Sequence, residues 1–375
     1  MTLKISFYLS ILFWLVFAVS CDLTDLEKAG SNFFVDTSYT SIRIAKWHNN
    51  HSAAISITND AGSVSGSGEK IVQNLVEKYG LNISYELVTD LYLKDSVRLN
   101  YLYDTYLPRG FGYFGHGHTH INHDKLSEDE AYNSFKECYN SMIKMGLKPI
   151  SYAYPGGFGY HIKTQRALKR AGFLSGRKFE KLDFDNPLIM AENNNQPSNW
   201  FLLPTLVMQA YEYQYCSICI NNTSELIPYL DKAIEKNAWL ILTYHSIGQT
   251  EAYGYYYLDD FENDLRSIKA RDFWVASMDD ITLYTYQRNA ATPILINKRS
   301  EFGDIVEIEM EIKHELDKSI FNIPLTVIVE LPPGFESTNL RPKNGITEFK
   351  LLKKNDHSIM MSIYPNQKYT LKNML

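Results

Sequence analysis

Short apolar runs alternate with amphipathic segments between about residues 47 and 288. Apolar runs bounded by turn residues are typical of strands buried on both faces of a parallel sheet. The segments between them carry apolar residues at helical spacing, as at Val72, Val76 and Tyr79, with Gly80 as a stop signal. Repeated strand and helix units of this kind predict an α/β fold, a deformed or incomplete (β/α) barrel. Strands are predicted at residues 53–58, 81–88, 112–115, 149–154, 173–177, 239–244 and 273–277.

The pattern changes beyond residue 290. Residues 305–312 and 325–331 alternate between apolar and polar side chains, and the turn residues Pro332, Pro333 and Gly334 follow. Such alternation is typical of antiparallel strands with one buried face. We therefore expect an α/β domain at 40–289 and a small all-β, sandwich-like domain at 290–375.

The N-terminal pattern predicts an export signal. Lys4 precedes an uncharged apolar run at 5–19, which is short for a bilayer span of about 20 residues. The residues before Cys21 fit a signal-peptidase site and also a bacterial lipoprotein junction, in which Cys21 is acylated. We prefer the second interpretation, with a signal at 1–21, a tether at 22–39, and an exported, periplasmic or cell-surface protein that touches a membrane only through this anchor.

Composition limits the classes of partner. The net charge of −6 and the absence of a basic run argue against nucleic acid, and the oligomeric state cannot be deduced. Beyond Cys21 the cysteines are Cys138, Cys216 and Cys219, too few for a disulfide framework. The CxxC pair at 216 and 219 lacks the second pair of a zinc site, so it is a local disulfide or two plain cysteines.

Four of the ten histidines lie within eight residues, at positions 116, 118, 120 and 123. They follow a predicted strand, where His116 and His120, four residues apart, can converge on one cation, since neutral imidazole is a common ligand of zinc and similar ions. A solvated polar loop is the alternative. Asp60 and His245 also follow predicted strands, and the carboxyl ends of the strands in such a barrel share one face. Together these residues predict a single site.

Several segments resemble the motifs of the polysaccharide deacetylases, the family with the NodB-homology domain. The stretch TNDAG at 58–62 resembles the family's TFDDG motif, and HGHTH at 116–120 resembles its H-S/T-x-x-H motif. YPGG at 154–157, WLILTYH at 239–245 and FWVA at 273–276 are similar to later motifs, so the resemblance spans about residues 53–288.

This resemblance implies a metal-dependent hydrolase that removes N- or O-linked acetyl groups from a glycan. Asp60 would be the general base, His116 and His120 the metal ligands, and His245 the general acid. The backbone N–H of Gly156 would bind the oxyanion. The implied cofactor is a divalent cation, zinc or alternatively nickel or cobalt, which activates water and polarises the acetyl carbonyl.

Two positions depart from the family pattern. Ala61 stands where the family has a metal-binding Asp, so water or His118 would have to complete the ligand shell. A register shift by one residue would instead make Asp60 the ligand, but the inward alternation of Ile55 and Ile57 favours Asp60 as the base.

Ala153 occupies the place of an Arg that pairs with the base. Arg177, at the end of the next predicted strand, is a candidate replacement, or it simply caps that strand.

The abundant tyrosines suggest sugar contacts, with Tyr255 and Tyr256 as candidates, although tyrosines also pack in cores. Two alternatives to the deacetylase remain open. One is a catalytically weakened, glycan-binding relative. The other is a hydrolase of another non-peptide amide on the same barrel.

Overall fold

The structure is a computed structural model that describes residues 40–60, 64–179, 196–210, 218–249, 253–300, 302–335, 339–342, 349–350, 352–355 and 357–373. Its strands are β1 Ser41–Ile44, β2 Ala53–Asn59, β3 Ser84–Leu87, β4 Gly112–Gly115, β5 Ser151–Ala153, β6 Ser175–Arg177, β7 Leu206–Met208, β8 Cys219–Ile220, β9 Trp239–Tyr244, β10 Phe273–Val275, β11 Thr292–Arg299, β12 Ile305–Lys313, β13 Leu325–Glu330, β14 Asn339–Pro342, β15 Phe349–Lys350, β16 Leu352–Asn355, β17 Ser358–Ile363 and β18 Lys368–Lys372. Its helices are α1 Ser67–Lys78, α2 Thr89–Lys94, α3 Ser96–Tyr101, α4 Glu128–Lys144, α5 Ile162–Ala171, α6 Thr223–Glu235, α7 Leu258–Lys269 and α8 Met278–Ala290.

A parallel sheet forms the first part of the molecule, in the order β6-β5-β4-β3-β2-β9-β7-β8, with β10 paired to the start of β2. The sheet curls so that its β6 edge reaches the segment before β7, where Leu203 forms a parallel bridge with Arg177 at the end of β6. Leu203 N–H also donates to the Gly176 carbonyl at 2.8 Å. The short bridge closes an irregular ring, which confirms the predicted deformed (β/α) barrel.

The side chains of β2 alternate between an apolar face and a polar face. Ile55 and Ile57 pack outward into the apolar layer under the helices. Ser56 and Thr58 point to the opposite face, where Thr58 Oγ1 lies 3.1 Å from Thr243 Oγ1 of β9. The expected inward alternation of the two isoleucines is therefore wrong, because the interior face of β2 is the small, polar one. Asp60 continues that interior face.

Helix α4 begins at a capping residue and ends before a glycine. A capping box starts α4, since the Ser127 side chain accepts from the Glu130 N–H and the Glu130 carboxylate accepts from the Ser127 N–H. Phe135, Cys138 and Met142 bury one side of α4 against the sheet. A positive φ of 67° at Gly146 then lets the chain turn into β5.

Two antiparallel sheets form the second part, one in the order β1-β13-β17-β16 and the other β11-β12-β18-β14-β15. They enclose one apolar layer, a sandwich-like arrangement that confirms the predicted all-β fold of this part. Strand β1 lies inside the range 40–289 expected for the barrel, yet Ser41–Ile44 pair with β13 of the sandwich. The sandwich is thus built from segments at both ends of the barrel sequence.

Helix α8 joins the two parts. Tyr284 contributes to the apolar layer of the sandwich, and its hydroxyl donates to the Ala45 carbonyl at 2.9 Å. Arg288 donates to the Lys46 carbonyl, and Gln287 Nε2 donates to the Ile323 carbonyl. These contacts anchor the sandwich beside the end of α8.

Several expectations fall outside the described residues, namely the signal at 1–21, the tether at 22–39, the anchor Cys21, Ala61 and Cys216. Cys219 is disulfide-bonded, and its partner also lies outside the described residues. Cys138 is free and buried. Among the described helices, none has the length and apolar character needed to cross a bilayer.

Candidate active site at the carboxyl end of the barrel

Five ionisable side chains converge where the barrel strands end. Asp60 follows β2, Glu86 lies near the end of β3, His116 follows β4, Arg177 ends β6 and His245 follows β9. All five side chains are buried. Parallel strands present their carboxyl ends at one face, which explains how residues so distant in sequence come together.

Asp60 and Arg177 form a buried ion pair. Arg177 Nη2 donates to both carboxylate oxygens of Asp60, at 2.6 and 2.8 Å, and the Arg177 side chain is 0% exposed. Burial alone would raise the pKa of Asp60, but the nearby Arg177, together with His116 and His245, reverses the effect and lowers it. Asp60 is therefore ionised at neutral pH. Arg177, at the end of β6, thus pairs with Asp60 and does more than cap its strand.

His116 is held between two strands. Its Nδ1 lies 3.0 Å from the Ala153 carbonyl oxygen, which can only accept, so Nδ1 carries a proton and donates. Its Nε2 then faces Glu86, 3.0 Å from Oε2. Burial lowers the pKa of His116, but the charges of Glu86 and Asp60 outweigh burial and raise it.

His245 lies in an aromatic setting. Its ring meets Phe179 edge-on at a centroid distance of 5.8 Å and Tyr253 at 5.0 Å. Burial lowers the pKa of His245 and outweighs the opposing charges of Asp60 and Glu86. Gly254 is required beside it, since a Cβ there would lie 2.7 Å from the His245 Cβ. Within the described part of the chain, the buried His245 Nδ1 has no hydrogen-bond partner.

The remaining histidines of the cluster differ in surroundings. The exposed ring of His120 lies beside His116, at a centroid distance of 5.0 Å. His118 was expected to complete a ligand shell, but Thr89, Ser141 and Glu137 of α2 and α4 surround its two nitrogens, so it ties the loop to these helices.

His123 belongs to the core. It stacks on Phe135 at 4.1 Å, its Nε2 lies 2.9 Å from Ser134 Oγ, and burial lowers its pKa to about 4.

The site has donors suited to a metal ion. One ligand atom each from Asp60, Glu86 and His116 lies within 4.8 Å of the others. Carboxylate oxygen and imidazole nitrogen suit zinc and related divalent ions. A histidine whose second nitrogen donates to a backbone carbonyl is also typical of metal ligands, because that bond fixes the tautomer. The residues therefore fit a divalent cation. Sequence reasoning missed Glu86, because its alternation with Asn82 and Ser84 in the predicted strand 81–88 is the pattern of a solvent-facing residue.

Gly156 lies at the same end of the barrel, in the turn Pro155–Gly157 after β5. Its φ is 68°, a left-handed backbone conformation that favours glycine. Its role as an oxyanion donor stays a prediction.

The two tyrosines expected to contact sugar differ. Tyr256 is fully buried, with its ring edge-on to that of Tyr244 at a centroid distance of 5.3 Å. It cannot stack on a ligand, so the expected sugar contact of Tyr256 is wrong. Tyr255 is largely buried but lines an open cavity of about 410 Å³ with Tyr257 and Asp259. Tyr253, which the sequence did not single out, is 63% exposed beside His245.

No protein-family model and no curated protein matches the sequence. Among solved structures, a Mycobacterium smegmatis protein described as a polysaccharide deacetylase aligns with a TM-score of 0.49 and 16% identity, over 69% of this chain and 98% of its own. Puue allantoinase aligns at 0.47 and 15%, over 64% and 92%. The peptidoglycan deacetylase PdaC of Bacillus subtilis aligns at 0.40 and 13%, over 64% and 95%. Matches this remote do not assign an activity to this chain.

Proposed function

We propose that this chain is a hydrolase that removes acetyl groups from an acetylated carbohydrate after export from the cytoplasm. The observation that carries the proposal is the convergence of Asp60, His116 and His245 in one buried cluster. These are the residues for which the motif resemblance implies chemical roles. Their charges fit those roles, because Asp60 is an ionised base beside a histidine that faces a second carboxylate.

Asp60 takes the proton of the attacking water, since Arg177 keeps its carboxylate ionised. When bound, a divalent cation supplies Lewis-acid activation of that water and of the acetyl carbonyl. The Gly156 N–H donates to the oxyanion. His245 delivers a proton to the departing sugar nitrogen or oxygen. Because burial lowers the pKa of His245 below its ordinary 6.5, its protonated form is already scarce at neutral pH, and activity should fall as the pH rises through the acidic range.

Substrate contacts are proposed at the aromatic edge of the site. Tyr253 offers an exposed ring next to the catalytic His245, where a sugar ring can pack. Tyr255 is retained at the neighbouring cavity.

The alternative of a catalytically weakened glycan-binding protein rested on the missing family residues at positions 61 and 153. Two observations count against it, because Arg177 pairs with Asp60 and Glu86 adds a carboxylate beside His116. Cleavage of another non-peptide amide would use the same residues, and a substrate panel distinguishes the two reactions.

The test is acetate release by the full chain from acetylated chitooligosaccharides, acetylated xylan and peptidoglycan, with allantoin and simple N-acetyl amides as non-glycan probes. We expect release from a glycan, and a loss of at least about 100-fold in His116→Ala, the usual scale for losing a group used in catalysis. Glycan binding by calorimetry without any release would support the weakened protein. Turnover of a non-glycan amide alone would support the other hydrolase.

A further inference from the structure

We infer that Glu86, on β3, supplies the metal-binding carboxylate that the sequence lacks at Ala61, and that Asp60 is thereby left free to act as the base. The inference deepens the proposed function, on which its catalytic meaning rests. In the family's TFDDG motif, the base and the metal-binding Asp are adjacent residues that follow the same strand. Here they come from adjacent strands, since β2 and β3 pair in parallel at Asn59 and Tyr85.

The position of Glu86 is unusual for a strand residue. It is 4% exposed, in a strand whose four residues are all buried, and its Oε2 lies 3.0 Å from His116 Nε2. A glutamate is almost never fully buried unless it is paired or holds a metal. Packing alone gives no reason for a carboxylate at this position.

Asp60 is already committed to another partner. Both of its oxygens accept from Arg177 Nη2, and the guanidinium, 0% exposed, depends on this carboxylate for its charge balance. Separating a buried pair leaves an uncompensated charge, at a cost of about 3–5 kcal/mol. Of the two acidic residues near His116, Glu86 is thus the better ligand and Asp60 the better base.

The ligand set we infer consists of Glu86, His116 and His120. The Ala153 carbonyl fixes His116 with Nε2 towards Glu86, and the His120 ring lies 5.0 Å from the His116 ring. The competing explanation is that Glu86 serves only as an ion-pair partner of His116. Under that explanation, removing the charge of Glu86 changes the pKa of His116 but does not remove a metal ligand.

Binding of Co²⁺ to the metal-free full chain separates these explanations, because the visible absorption of Co²⁺ reports binding without any turnover. We expect one Co²⁺ per wild-type chain. Glu86→Gln, which keeps the shape and removes the charge, should weaken binding by more than the roughly 10–100-fold seen when residues behind the ligands are changed. Glu69→Gln is the matched control, another buried glutamate of the barrel that contacts Gln249 instead, and should bind as the wild type does.

A rescue variant sharpens the test. Adding Ala61→Asp to Glu86→Gln restores the family's own acidic pair and should recover Co²⁺ binding. Circular dichroism checks folding, and if Glu86→Gln does not fold, Glu86→Asp, which withdraws the carboxylate by one methylene, should bind Co²⁺ more weakly than the wild type.

Wild-type affinity in folded Glu86→Gln would overturn the inference. Loss of binding without rescue would keep Glu86 as a ligand and contradict its replacement of position 61. Acetate release is measured in parallel. A chain that binds Co²⁺ through Glu86 but releases no acetate contradicts only the proposed function, whereas release by a chain that binds no divalent ion contradicts only the ligand assignment.

Discussion

The carboxyl end of the barrel and the interior of the sandwich are buried to a similar degree but have opposite chemistry. The sandwich encloses aliphatic side chains such as Ile308 and Val327. Its charged residues pair with each other, as where Glu309 Oε1 on β12 lies 3.3 Å from Lys368 Nζ. The barrel end encloses two carboxylates, a guanidinium and two imidazoles. Burying charges costs free energy even when they are paired, whereas aliphatic burial stabilises. The difference indicates that the sandwich is built for stability and the barrel end for chemistry.

The largest effect should follow from removing Arg177. Arg177→Ala leaves the Asp60 charge buried and unpaired, so the free energy of unfolding should fall by about 3–5 kcal/mol. The pKa of Asp60 should rise, because burial then acts with less opposition, and the acid limb of the activity profile should move to higher pH. Denaturation and a rate–pH profile measure the two effects, with Arg177→Lys as the milder control. An unchanged pH profile in a folded Arg177→Ala protein would show that Arg177 is only structural.

A truncation in the sandwich should lower stability without changing the chemistry. Ile308 is fully buried between the sheets, so Ile308→Ala should lower the free energy of unfolding by about 2–5 kcal/mol. The rate constant for acetate release should stay the same below the unfolding temperature. Urea denaturation and initial rates test this contrast, and a large fall in kcat would mean that the sandwich takes part in the chemistry.

A smaller, pH-dependent effect is expected at Glu69. Burial, only partly offset by the hydrogen bond from Gln249, raises its pKa from 4.5 to about 7. A carboxyl with a raised pKa in the folded state contributes stability below its unfolded pKa, and this stability is lost as the pH rises through about 7. Glu69→Gln mimics the neutral form, so its advantage over the wild type should grow by on the order of 2–3 kcal/mol between about pH 5 and pH 8. A difference that stays constant with pH would contradict the raised pKa.

The smallest effect is expected at the exposed edge of the site. Tyr253→Ala removes the ring beside His245 and should raise KM for a glycan by less than about tenfold, in keeping with the modest energy of one aromatic contact. Stability should not change, since the side chain is 63% exposed. Tyr253→Phe keeps the ring and is the control. An equal loss in both variants would point to the hydroxyl rather than the ring.

The sequence predicted those features that local chemistry determines. Alternating apolar runs and helical patterns predicted the barrel, and the change to alternating residues beyond residue 290 predicted the antiparallel strands that follow it. The meeting of Asp60, His116 and His245 followed from one rule of parallel topology, that strand ends share a face.

Features that depend on distant partners were not predictable in the same way. The pairing of β1 with β13 joins Ser41 to Glu330, and nothing in the local pattern of β1 specifies that partner. Tyr256 was misjudged because an aromatic residue in a loop has the same sequence signal whether it packs inside or faces solvent. Glu86 was missed because a glutamate in a short strand is normally placed on the solvent face, and only the barrel geometry brings it against His116.

The central claim is that the buried cluster at the barrel end hydrolyses acetylated carbohydrate with Asp60 as its base. The most direct measurement is kcat/KM for acetate release from the best glycan substrate, compared between the wild type, Asp60→Asn and Asp264→Asn. Asp264 is a fully buried aspartate of α7 that accepts a hydrogen bond from the Tyr244 hydroxyl. We predict a loss of about 100- to 10,000-fold in Asp60→Asn and little change in Asp264→Asn. Equal activity in Asp60→Asn and the wild type would contradict the account.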